Sequence, residues 1–131
     1  MSRIGKQPVN VPSGVTVEVN ESSNSIKVSG PKGNLSYTWH EMISVTQEDK
    51  NLLCSIRDGV DEGRAARSHW GTTRSRIQNM VTGVKDGYSK RLKIVGVGWN
   101  AKDQGRQIQL NVGYCHPVNL TPPDGVEFQI E

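Results

Sequence analysis

Aromatic side chains are scarce: three Trp, three Tyr and one Phe make up 5% of 131 residues. No aromatic pair of the kind that stacks unpaired bases on a sheet is present, which argues against that mode of RNA recognition. Long apolar runs are missing too, and no stretch approaches the roughly 18 residues a membrane-spanning helix requires. The opening Met-Ser-Arg-Ile-Gly-Lys lacks the apolar core of a secretory leader, which predicts a cytosolic protein. Cysteine is limited to Cys54 and Cys115, neither with a partner at metal-ligand spacing. Reduced packing thiols are expected, ahead of a disulfide or a zinc site. Charge of one sign is also in short supply: 16 Lys and Arg oppose 13 Asp and Glu, leaving +3 and a pI near 9.0. That is a lean toward polyanions and no more.

What is present is a change of period along the chain. Up to Ile56, apolar and polar residues alternate in short runs, through Val15, Val17 and Val19, then Ile26 and Val28, then Leu35, Tyr37 and Trp39, then Leu52 or Leu53 to Ile56. This is the signature of half-buried strands. Gly30-Pro31-Lys32-Gly33 sits between two of them as a hairpin tip of type I form. After Asp58-Gly59 the period becomes helical, with Asp61 as the expected N-cap and Glu62 in the first turn. Ala66, Trp70, Thr73, Ile77, Met80, Val81 and Val84 fall within one arc of about 100°, as on a helix lying on a core. Arg64, Arg67 and Arg74 share an adjacent flank with Gln78, and Arg76 lies on the other side. A solvated helix face and a phosphate-contacting flank both fit that arrangement.

Beyond Gly87 strands return. Tyr88 to Ala101 and Arg106 to Tyr114 predict a long hairpin around Lys102-Asp103-Gln104-Gly105, followed by a last short strand from Val126 to Ile130. The ending repeats the beginning: Val9-Asn10-Val11 before Pro12-Ser13-Gly14 matches Val118-Asn119-Leu120 before Pro123-Asp124-Gly125. Duplication and chance recurrence of proline-glycine turns are both open readings. The expected architecture is α+β, with two similar units of antiparallel sheet packed on a helix. The first unit spans residues 1–83 with an N-terminal arm and a helix over about 61–83; the second, 84–131, has strands and lacks its helix. An apolar sheet face in that second unit needs cover. A continuation of the chain past Glu131, a partner, or packing onto the first unit could each supply it, and the first is preferred.

Enzymatic motifs fail on context. Gly96-Val97-Gly98-Trp99-Asn100-Ala101 matches a dinucleotide fingerprint formally, but a turn and a strand follow it where a helix is required. Its glycines instead predict a bulge or a close backbone approach. His40, His69 and His116 are isolated from any recognisable nucleophile and orienting acid. No catalytic residue, metal site or cofactor is expected. The remaining features are cations on arms and tips: Arg3 and Lys6 in the N-terminal arm, Lys32 at a hairpin tip, Lys102 and Arg106 at another, and Lys90, Arg91 and Lys93 in a cluster. Such positions reach a phosphate backbone from a compact body, and they also serve plain solubility. From the residues alone this is a small noncatalytic α+β protein with a bias toward nucleic acid.

Arg3-Ile4-Gly5-Lys6-Gln7-Pro8-Val9 after Ser2, Pro12-Ser13-Gly14-Val15 and Gly30-Pro31-Lys32-Gly33-Asn34-Leu35-Ser36 resemble the bacterial large-subunit ribosomal protein L6 family. So do the helical run from Ala66 to Gly87-Tyr88, Val95-Gly96-Val97-Gly98-Trp99-Asn100-Ala101, and Gly113-Tyr114-Cys115-His116-Pro117-Val118. The resemblance implies two similar α+β domains and a structural, noncatalytic role. It further implies binding to 23S ribosomal RNA near the base of the factor-binding stalk and support of subunit assembly and translation, in the cytoplasmic large subunit. Its implied partners are that RNA and neighbouring large-subunit proteins, with no membrane and no small-molecule substrate. Family members continue to a second helix and a basic Tyr-Lys-Gly-Lys-Gly tail that nothing here matches, so the natural chain is expected to be longer. RNA contacts are therefore placed on Arg3, Lys6, Lys90, Arg91 and Lys93, with Arg67 and Arg74 secondary. A protein-binding module using the uncovered sheet is the competing reading.

Overall fold

A computed structural model describes residues 3–131, so Met1 and Ser2 of the opening stretch lie outside the described residues. The described residues form an α+β fold of one helix and three small antiparallel sheets, divided into two compact units between Ser89 and Lys90.

The first unit holds two sheets and the helix. Strands β2 (Thr16–Asn20), β3 (Ser25–Gly30) and β4 (Gly33–Thr38) form one sheet in chain order. β1 (Val9–Asn10), β5 (Ile43–Glu48) and β6 (Asn51–Ile56) form the other, ordered β1-β6-β5. Alternation directs one face of each strand inward, and Ile26, Val28, Ile43, Val45 and Leu52 are wholly buried. β5 is an element the alternation did not single out. Only Ile43 and Val45 carry its inward face, and pairing with β6, from Ile43↔Ile56 to Glu48↔Asn51, fixes it. Trp39, at the end of β4, is buried and donates its indole N–H to the Ile43 carbonyl at 2.9 Å, which joins the two sheets.

Helix α1 (Arg64–Lys85) covers both sheets with the face expected of it: Ala66, Thr73, Ile77, Val81 and Val84 are buried, and Trp70 and Met80 pack at its margin. Its start differs from expectation. Gly63, in extended conformation and with no side-chain cap, is the N-cap; Asp61 does not cap the helix, and Glu62 is not in its first turn. Glycine is a poor helix former, by about 1 kcal/mol against alanine, and it delays the first turn. The end is tight, with the N–H groups of Asp86 and Gly87 bonded to Thr82 and Gly83 carbonyls at 2.9 and 3.0 Å. Gly30 and Gly33 pair across the β3–β4 hairpin, leaving Pro31-Lys32 as its tip. The Lys32 N–H there bonds the Val84 carbonyl at 2.9 Å, so the tip caps the last turn of α1.

The second unit contains β7 (Asn100–Asp103), β8 (Ile108–Asn111) and β9 (Val118–Leu120), in that order and antiparallel. The long hairpin is shorter than the sequence predicts, because the chain turns at Gly98, where φ is +74°, and Trp99 N–H returns to the Gly96 carbonyl. Close approach explains Gly96 itself, since the Trp99 ring occupies the space its Cβ would fill. The segment from Val126 to Ile130 is not a strand. It pairs with none of β7, β8 and β9, and alternation without a paired edge does not make a strand.

The two similar stretches hold matching places. β1 lies beside β6, the second strand of a hairpin, and β9 lies beside β8, also the second strand of a hairpin. Each is followed by the same turn: Val15 N–H bonds the Pro12 carbonyl at 3.3 Å, Val126 N–H bonds that of Pro123 at 3.1 Å, and Gly14 and Gly125 have φ of +91° and +83°. The units differ in cover. No residue from Lys90 to Glu131 is buried, and Leu92, Val95 and Val97 are among the most exposed apolar side chains.

Candidate nucleic-acid interface

The expected RNA contacts fall into two groups that belong to different units. In the first unit, the arm before β1 runs along a flank of α1. Gly5 is buried against the Trp70 ring, where a Cβ would fall 2.6 Å from the indole. Trp70 is held from beneath by its own N–H, which donates to the Cys54 carbonyl at 2.6 Å. One turn on, Arg74 donates from Nε to the Gln7 carbonyl at 3.2 Å and from Nη2 to Pro8 and Gln78 oxygens at 3.5 Å. Arg3 and Lys6 stay exposed, as does Arg67, whose Nε reaches only the Gly63 carbonyl at 3.4 Å. Arg3 and Lys6 thus lie on an arm held against Trp70 and Arg74, on the helix that also carries Arg67, while the Arg74 guanidinium is already engaged by main chain.

In the second unit, Lys90, Arg91 and Lys93 lie in an exposed segment without regular structure. Arg91 pairs with Glu131 at 2.9 Å, both side chains largely in water, an arrangement worth little in stability and readily exchanged for a phosphate. Arg106 is similarly paired with Asp124 at 2.9 Å. Arg76 lies over the Tyr37 ring at 5.2 Å, a cation–π contact away from the arm.

Groups with reactive chemistry are arranged for structure. Burial pushes the Cys54 thiol up from 9.0 to about 11, opposed in small part by Arg74, so it stays protonated at neutral pH. His40 and His69, isolated in sequence, stack with ring centroids 4.1 Å apart and planes 15° from parallel. The His40 Nδ1 accepts the Met42 N–H at 3.3 Å, and among the described residues no group of three His, Cys, Asp or Glu could hold a metal ion. No helix of the described residues is long and apolar enough to cross a membrane. The role of Trp70 as platform for the arm is not legible in the sequence, where its spacing marks it only as a core residue.

Residues 11–87 match the family model described as "Ribosomal protein L6". The chain belongs to the ribosomal protein L6 family. L6 relatives align over its whole length. It is 46% identical over 131 residues to "Large ribosomal subunit protein uL6" of Prochlorococcus marinus, covering all of this chain and 70% of that one. A protein of the same description from Bartonella henselae is 47% identical over 130 residues, covering 99% of this chain and 71% of the relative. Another, from Staphylococcus saprophyticus, is 46% identical over 132 residues, with 100% and 71% covered. The family resemblance read from the sequence is thereby established. L6 proteins are structural ribosomal components and not enzymes.

Proposed function

We propose that this chain is a structural constituent of the large ribosomal subunit that binds 23S ribosomal RNA near the base of the factor-binding stalk and supports subunit assembly and translation. Its contacts are Arg3 and Lys6 on the arm and Lys90, Arg91 and Lys93 in the second unit, with Arg67 and Arg74 as secondary members on the helix flank, where the Arg74 guanidinium is held by the arm's carbonyls. Neighbouring large-subunit proteins are its further partners, and its compartment is the cytoplasm. The observation that carries this reading is the end-to-end likeness to proteins described as large-subunit uL6. The exposed arm on a rigid flank supports it, because phosphate contacts need cations that extend from a fixed body.

Binding to a transcript of large-subunit RNA, measured across a salt series, tests it. Counterion release predicts a log–log slope of several units, scaling with the number of phosphates neutralised. A flat response sinks the RNA reading. It would favour the second reading, a protein-binding module, for which the absence of any buried residue from Lys90 to Glu131 speaks.

A further inference from the structure

The arm preceding β1 is fastened at three successive points. Gly5 lies on the Trp70 ring, the Gln7 and Pro8 carbonyls accept from Arg74, and Val9 is wholly buried as it enters the sheet. Lys6 falls between two fastened residues, and Arg3 is two residues before Gly5, so its Cα stays within about 7 Å of the Gly5 Cα. Arg67 lies three residues before Trp70, and residues three apart are neighbours on a helix surface. The fastening therefore fixes where Lys6 lies and confines Arg3 beside the helix flank that Arg67 shares.

We propose that Arg74 is a positioning residue: its guanidinium clasps the arm so that Arg3, Lys6 and Arg67 form one cationic surface for RNA phosphates, and it does not contact phosphate itself. The inference rests on the RNA-binding reading. Its warrant is geometric. A planar guanidinium reaches two consecutive carbonyls with donors held in a fixed fork, which the single ammonium of lysine does not reproduce. An unclasped arm would have to be ordered when RNA arrives, and that ordering lowers affinity without removing any phosphate contact.

These roles separate in a salt-dependent binding experiment with the full chain and a large-subunit RNA transcript. Arg3→Ala/Lys6→Ala removes contacts and lowers the log–log slope by about two. Arg74→Ala and the charge-conserving Arg74→Lys each weaken binding about tenfold while leaving the slope within about half a unit, because the contacting cations remain. In the Arg3→Ala/Lys6→Ala background, Arg74→Ala has no further effect. Gly5→Ala, which drives the arm off Trp70 without touching a charge, reproduces the Arg74→Ala result, and both variants are cut by trypsin after Lys6 faster than the parent. A Arg74→Lys variant that binds like the parent, or an Arg74→Ala loss that lowers the slope by about one and adds in full to the arm variant, overturns the clasp and leaves RNA binding standing. A parent chain with no salt-dependent binding overturns the RNA reading itself.

Discussion

Gly30 sits against the end of the helix so closely that a Cβ built on it would lie 2.6 Å from the Val84 carbonyl oxygen. The same oxygen accepts the Lys32 N–H, so the hairpin and the last turn of α1 share one acceptor. Backbone cannot move aside as a side-chain end can, and Gly30→Ala is expected to destabilise the protein by about 1–3 kcal/mol. Urea unfolding followed by tryptophan fluorescence measures it. Lys27→Ala, on the exposed side of the same strand, should change stability by no more than about 0.5 kcal/mol.

The two cysteines should part company chemically. Cys115 is exposed and Cys54 buried, so a thiol reagent at pH 8 is expected to modify one cysteine in the native protein and both in urea. Rapid labelling of both in the native state would contradict the burial.

A pH dependence follows from the same thiol. Well below pH 9 Cys54 is protonated in folded and unfolded chains alike and contributes no slope. Between its ordinary value of 9.0 and its folded value of about 11, the unfolded chain releases a proton that the native state retains. Stability therefore falls as pH rises through that window. Midpoints of thermal unfolding from pH 8 to pH 11 should fall less steeply in Cys54→Ala than in the parent, even though that variant starts lower.

Trp70→Phe keeps an aromatic surface under Gly5 but removes the donor to the Cys54 carbonyl, 2.6 Å away. Leaving that acceptor unsatisfied is expected to cost about 1–3 kcal/mol, read from the urea midpoint at unchanged m-value.

Hydrogen exchange should divide the chain between Ser89 and Lys90. Amides in β3 and β5, beneath buried Ile26, Val28, Ile43 and Val45, are expected to exchange at least about a hundredfold more slowly than those in β7, β8 and β9, where nothing is buried. Equal protection in both units would show that the second has a core these exposures do not reveal.

Much of the fold is legible in the sequence, and the reasons are specific. Ala66, Thr73, Ile77, Val81 and Val84 recur at helical spacing along a 22-residue helix, so their shared face is set by the chain alone. β5 is different, because Ile43 and Val45 become a strand through β6, and Val126 to Ile130 alternates well yet pairs with nothing. Alternation reports a preference, whereas a strand also needs a neighbour. At the candidate interface, the cations could be named from sequence as arm, tip and flank. Which arginine was already engaged could not, since Arg74 meets carbonyls 66 and 67 positions earlier in the chain. Its spacing from Trp70 was visible; that the arm would return to both was not.

Helix α1 packs on strands of both sheets of the first unit. It is also the last of that unit to be synthesised, beginning at Arg64, after all six strands. A growing chain therefore carries two partly formed sheets whose apolar faces wait for residues 66–84. The order of synthesis makes the helix a closing step, and apolar sheet faces left uncovered in the interval before it favour self-association or chaperone binding.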